Sequence, residues 1–168
     1  MKKVAVIMGS ASDLSVAQKA VDTLKDLGIP CTVRVLSAHR TADEARTFAL
    51  QARERGYGAL IALAGMAAHL AGALAANTTL PVVGVPVVSG NLGGMDALLS
   101  TVQMPPGIPV ATVAVNGAKN AALLCAQMLA ITDEALAEKL HQGREAMARE
   151  ALSKDEEIRL LSTAEEDK

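Results

Sequence analysis

Hydrophobic and polar positions along the chain follow two alternating patterns. Val4–Met8 is a short unbroken apolar run rich in β-branched residues, which predicts a buried strand. Val16, Ala17, Ala20, Val21, Leu24 and Leu27 then recur at helical spacing over Asp13–Leu27, closed by Gly28. Cys31–Leu36 predicts a second strand, Thr41–Arg55 an amphipathic helix ending at Gly56, and Ala59–Ala64 a third strand whose continuous apolar run suits burial on both faces. A small-residue helix over Ala67–Asn77, a strand over Val82–Val85, a short helix over Asp96–Val102 and a strand over Val110–Val115 follow. Helices over Asn120–Leu129 and Asp133–Leu152 end the pattern. This alternation predicts a three-layer α/β fold, a doubly wound parallel sheet of about five strands between helices, with an extra C-terminal helix. With no internal repeat or linker, residues 1–152 read as one domain. Residues 153–168 form a charged tail without a long apolar period, expected to be a frayed helix or disordered.

Composition narrows the function classes. The 168 residues carry 16 Lys and Arg against 18 Asp and Glu, a net charge of -2, so no basic face for nucleic acid is expected. Phe48 and Tyr57 are the only aromatic residues besides the histidines, which excludes base-stacking platforms, while 32 alanines imply a core of close backbone approaches. Between Gly56 and Thr132 the only charged residues are Asp96 and Lys119, whereas Asp133–Lys168 holds 17 of the 34 charges. A stretch so poor in charge is expected to be covered by other subunits, which predicts a homo-oligomer. Cys31 and Cys125 form no CxxC pair and read as reduced thiols, consistent with a cytoplasmic protein. The N-terminal apolar run is too short for a signal peptide. Ala59–Ala76, interrupted by Gly65, His69 and Gly72, reads as strand plus helix rather than a membrane span.

In open parallel sheets, ligands bind beyond the carboxyl ends of the strands. Gly9–Asp13 opens a helix there, either to hold a phosphate on backbone N–H groups or simply to cap the helix through Ser12 or Asp13. It is neither a Walker loop nor GxGxxG. Ser37-Ala38-His39-Arg40-Thr41 is more telling: Arg40 offers a bidentate fork to a phosphate, the hydroxyls add donors, and histidine can exchange a proton near neutral pH. The bland alternative is a solvated loop with Thr41 as helix cap. His69, in a stretch free of charge, reads as a structural group or a catalyst. His39, His69 and His141 lack metal-ligand spacing, and neither cysteine has a basic neighbour to make it a nucleophile.

Val6-Ile7-Met8-Gly9-Ser10 with Ser12-Asp13, then Ser37-Ala38-His39-Arg40-Thr41, Ala67-Ala68-His69-Leu70 and Val102-Gln103-Met104-Pro105, together resemble the N5-carboxyaminoimidazole ribonucleotide mutase family of purine (IMP) biosynthesis. The resemblance spans about Val4 to Leu129. It implies a flavodoxin-like fold, an octamer, no metal and no organic cofactor, and an isomerase that moves a carboxylate from the exocyclic nitrogen to carbon 4 of a phosphoribosyl aminoimidazole. It further implies that Ser10 and Asp13 bind substrate, with Asp13 on the ribose hydroxyls. Ser37 and Arg40 would sit near the phosphate, His39 would be the acid/base, and Gly65 and His69 would line the pocket for the imidazole and its carboxylate.

Three features depart from the family pattern. Met66 and Ala71 interrupt GGAAHLPG, Ala42 replaces a proline after SAHRT, and Val115–Asn120 is about two residues short. One alternative is the related aminoimidazole ribonucleotide carboxylase that uses free carbon dioxide, whose AHK and AGRSN-like segments are not matched by Arg40 and Ala67–Leu70. The other is a non-catalytic nucleotide-binding or receiver-like module, which would need an aspartate where the third strand ends in Ala64-Gly65.

Overall fold

Five parallel strands form one sheet: β1 (Lys3–Met8), β2 (Cys31–Val35), β3 (Tyr57–Gly65), β4 (Val82–Val87) and β5 (Ala111–Thr112), in the order β2-β1-β3-β4-β5. This computed structural model describes residues 1–161. The helices are α1 (Leu14–Asp26), α2 (Ala42–Gln51), α3 (Leu70–Ala75), α4 (Met95–Val102), α5 (Ala118–Ala130) and α6 (Glu134–Arg159).

The alternation of a strand's side chains splits the core into two layers. Val4, Val6 and Met8 of β1 join Ile61, Leu63, Val83 and Val85 against α1 and α5. Ala5 and Ile7 join Leu60 and Ala62 against Ala45, Phe48 and Ala49 of α2 and Leu70, Ala71 and Leu74 of α3. Ala17, Ala20, Ala118, Ala121 and Ala122 are fully buried, so α1 and α5 approach the sheet and each other through alanines. The order is the flavodoxin-like one expected. β2 lies to one side of β1 and the remaining strands to the other, which opens a crevice at the carboxyl ends of β1 and β3.

Four boundaries differ from the sequence pattern by more than two residues. α2 ends at Gln51 instead of Arg55, because the chain tightens into turns there, with Ala52 N donating to Ala49 O at 3.3 Å and Gly56 N to Arg53 O at 3.1 Å. β5 is two residues rather than six, because Pro86 in β4 has no N–H; it accepts from Asn116 N but cannot donate back to the ladder. α3 starts at Leu70 instead of Ala67, because Met66 adopts φ 54 and His69 N closes a turn on Ala67 O at 2.9 Å. α6 runs past Leu152 to Arg159, with no Pro or Gly after Gly143 to stop it and with Lys154 paired to Glu150 one turn back. Asp133 caps its start by accepting from Leu136 N at 3.0 Å, and Leu136 is its one buried residue. The expectation for residues 162–168 lies outside the described residues. Among those described, no helix is long and apolar enough to cross a membrane.

Candidate active site

The loops after β1, β2, β3 and β4 converge on a cleft of about 390 Å³ at the point where the strand order reverses. All seven residues singled out from sequence line it: Ser10, Asp13, Ser37, His39, Arg40, Gly65 and His69. A larger hollow of about 920 Å³ lies by the amino ends of β4 and β5, near Arg53, Thr79 and Pro109, and brings no histidine together with a cation.

The Ser37–Thr41 segment is a closed turn rather than a floppy loop. Thr41 N donates to Ser37 O at 3.0 Å, while the Thr41 hydroxyl accepts from Ser37 N at 2.8 Å and donates to Ser37 O at 3.2 Å. Thr41 therefore pins the turn and does not cap α2 with its side chain. Inside the turn, Ser37 Oγ accepts from His39 N, Arg40 N and Arg40 Nε at 3.3, 3.2 and 3.4 Å. Arg40 Nη2 reaches across to Gly9 O at 3.0 Å. A guanidinium has five N–H donors, so this anchoring leaves three for a ligand anion.

The turn aims His39 at His69. His39 Nε2 lies 2.8 Å from His69 Nδ1, and the rings meet edge to face with centroids 5.0 Å apart. One nitrogen must donate and the other accept, so a single hydrogen occupies the contact. Both rings, with Arg40, are exposed on the single chain.

In the adjoining loop after β1, Ser10 caps a 3-10 turn over Ala11–Asp13. Ser10 Oγ accepts from Ser12 N at 3.3 Å and from the Ser12 hydroxyl at 2.9 Å, and Ser10 N donates to Asp13 Oδ2 at 3.3 Å. Helix capping, one of the two readings of this segment, is thus present, but by Ser10 rather than Ser12. Asp13 is only 5% exposed. Burial pushes its carboxyl above the ordinary value, opposed by the Ser10 N–H and the Ser12 hydroxyl. Two partners leave a carboxylate with free lone pairs, which suits it to accept from a vicinal diol.

Gly65 ends β3, where a Cβ would fall 1.9 Å from Ser89 Oγ. Glycine here lets the carboxyl ends of β3 and β4 close together, so Ser89 also lines the cleft. Ser12, Met66 and Ser89 also line the cleft but are not among the site residues expected from sequence, where Ser12 reads as a helix cap and Met66 as a departure from the family motif. Each sits in a strand-end loop, and that placement was the available signal.

The AIR carboxylase family model matches residues 3–150. The N5-carboxyaminoimidazole ribonucleotide mutase of Saccharolobus solfataricus is 52% identical over 153 residues, covering 91% of this chain and 97% of the relative. That of Thermotoga maritima is 47% identical over 165 residues, covering 98% and 96%. The crystal structure of Treponema denticola PurE superposes with a TM-score of 0.84 at 30% identity, covering 93% of this chain and 98% of that one.

Proposed function

Because the chain belongs to the AIR carboxylase family, we propose that it is an N5-carboxyaminoimidazole ribonucleotide mutase, an isomerase of purine biosynthesis that moves the carboxylate from the exocyclic nitrogen to carbon 4 of the imidazole. The observation that carries this reading is the meeting of the His39–His69 pair with the anchored Arg40 in one cleft. It is supported by relatives of that name at about half identity over nearly the whole chain. The alternative, a carboxylase using free carbon dioxide, is not favoured by those names.

The chemistry asks for two proton movements. Breaking the bond between the exocyclic nitrogen and the carboxylate carbon releases carbon dioxide and needs a proton delivered to nitrogen. Forming the new carbon–carbon bond needs a proton removed from carbon 4. An imidazole that gives one proton and takes one back ends the cycle unchanged, and His39 is assigned that role. Ser37 and Arg40 hold the phosphate through the remaining guanidinium donors. Asp13 accepts from the ribose hydroxyls, with Ser10 fixing its carboxylate. Gly65 and His69 frame the heterocycle. The proton demand is met by side chains of the chain itself, without a redox step.

Assembly belongs to the same proposal. The catalytic domain, residues 1–152, acts as a homo-oligomer, an octamer by resemblance, in the cytoplasm. One observation supports association: Met95, Leu99 and Val102 form an exposed apolar stripe along α4, extended by exposed Leu92 in the turn before it.

The experiment is a pair of assays at low bicarbonate, one with the carbamate nucleotide and one with the decarboxylated nucleotide. Turnover of the first alone is expected. Turnover of the second alone, rising with carbon dioxide, would assign the carboxylase reaction instead.

A further inference from the structure

We propose that Met66 is a wall of the reaction cleft, packing its thioether over the bound heterocycle so that carbon dioxide stays beside it between bond cleavage and bond formation; this rests on the mutase reading above. Among the described residues, Met66 and Asn116 are the non-glycines with positive φ, 54 and 58. Asn116 is accounted for, since asparagine tolerates this region and its side chain accepts from Val88 N at 3.0 Å. Methionine has no polar group to stabilise such a backbone, and glycine would hold it without strain. Core burial does not offset the strain either, because Met66 is 59% exposed. Strain of this kind persists where the displaced side chain has a task at a site.

Its surroundings indicate the task. Met66 lines the cleft beside Gly65 and His69, and there it is the one long apolar side chain that stands exposed, Leu70 being buried. The rest of the wall is polar groups from Ser10, Ser12, Ser37, Arg40 and Ser89 set among Gly9, Ala38, Ala64 and Ala67, whose side chains are too short to cover a ring face. Met66 Cγ lies 3.9 Å from where a Cβ on Gly90 would stand, so the side chain leans from the loop after β3 toward the loop after β4. That second loop holds Gly90, Gly93 and Gly94, all at positive φ. A flexible, polarisable thioether suits contact with a flat heteroaromatic ring and excludes water from its face. Carbon dioxide, uncharged and held by no ion pair, would otherwise leave through the uncovered side of the cleft.

The test is the leak itself. The unlabelled carbamate nucleotide is converted in buffer with radiolabelled bicarbonate and carbonic anhydrase, and label in the carboxylated product is counted per initial turnover. Wild type is expected to incorporate little, and Met66→Gly at least about fivefold more. Met66→Leu, which restores apolar length, is expected to stay near wild type. Met66→Gly also folds without strain, and its melting temperature is expected to rise by about 2–4 °C. Label incorporation by Met66→Gly at the wild-type level would overturn the inference. Equal leakage from the Leu and Gly variants would also overturn it, by assigning the effect to the backbone. A wild-type protein that converted no carbamate nucleotide would overturn the mutase reading itself.

Discussion

His39 Nε2 and His69 Nδ1 share one hydrogen across 2.8 Å, although the two residues stand thirty positions apart and on separate loops. The contact couples the turn after β2 to the start of α3, so each ring sets which nitrogen of the other carries a proton. A ring that exchanges protons with substrate must use its nitrogen outside the contact, His39 Nδ1 or His69 Nε2, or release its partner. In either case the two histidines act on the reaction unequally.

His39→Asn keeps approximate size and hydrogen bonding but cannot carry a proton. Turnover is expected to fall at least about 100-fold, the lower end for general acid–base catalysis, with fold and nucleotide affinity retained. His69→Asn can still hydrogen-bond His39, and its loss is expected to be smaller. Steady-state rates with equilibrium binding for each variant check this. Near-normal turnover in His39→Asn would move the acid/base role to His69.

Arg40 is held by Ser37 Oγ and Gly9 O before any ligand arrives, so little side-chain entropy is left to lose on binding. Charge-assisted hydrogen bonds contribute about 1.5–3 kcal/mol. Arg40→Ala should therefore raise KM for the phosphorylated substrate roughly 10- to 150-fold. Binding of the dephosphorylated nucleoside should change little, and calorimetry on both ligands separates the two effects. Equal losses for both would show that Arg40 shapes the turn and does not contact phosphate.

β1, β3 and β4 were legible because their apolar runs are continuous, and the end of α1 was marked by Gly28 at positive φ, whereas α2 stops at Gln51, well before Gly56. The late start of α3 was not legible, because nothing local announces that Met66 takes a left-handed backbone. The short β5 depends on the missing N–H of Pro86 in a neighbouring strand, and pairing partners are not written in the strand itself. The site divides along the same line. Ser37–Thr41 carries its own turn chemistry and could be read locally. The His39–His69 contact, and the arrival of Ser12 and Ser89 at the same cleft, follow from how separate loops converge.

Asp13 makes the pH dependence of stability diagnostic. Burial, the larger effect, raises its carboxyl above 3.8, so between 3.8 and that higher value the folded chain binds more protons than the unfolded one. Unfolding free energy must then fall as pH rises through this window and level off above it. Asp13→Asn removes this slope. Its stability relative to wild type is expected to improve from about pH 3 toward neutrality, read from urea midpoints across pH. Parallel curves for the two proteins would mean that the buried carboxyl is not the source. At neutral pH the same variant is expected to lose affinity for substrate, because the amide nitrogen cannot accept from a ribose hydroxyl.

Gly65 tests whether the close approach of β3 and β4 is what builds the site. It pairs in register with Val87, and a Cβ there would stand 1.9 Å from Ser89 Oγ, 2.9 Å from Ser89 Cβ and 3.0 Å from Val87 O. The hydroxyl of Ser89 can rotate away, but its Cβ and the Val87 carbonyl cannot. Gly65→Ala must therefore part the two strand ends, at about 1–3 kcal/mol. The displacement is carried into the loop that bears His69, four residues on. A misplacement of about 1 Å near reacting atoms can cost on the order of 100-fold in rate, so activity should fall further than stability. Ser89→Gly removes two of the three obstructing atoms. The double variant Gly65→Ala/Ser89→Gly should regain most of the melting temperature while recovering activity only in part, since Val87 O still crowds the new methyl group. Wild-type melting and turnover in Gly65→Ala alone would show that the strand ends tolerate a side chain, and that the geometry of the histidine pair is set elsewhere.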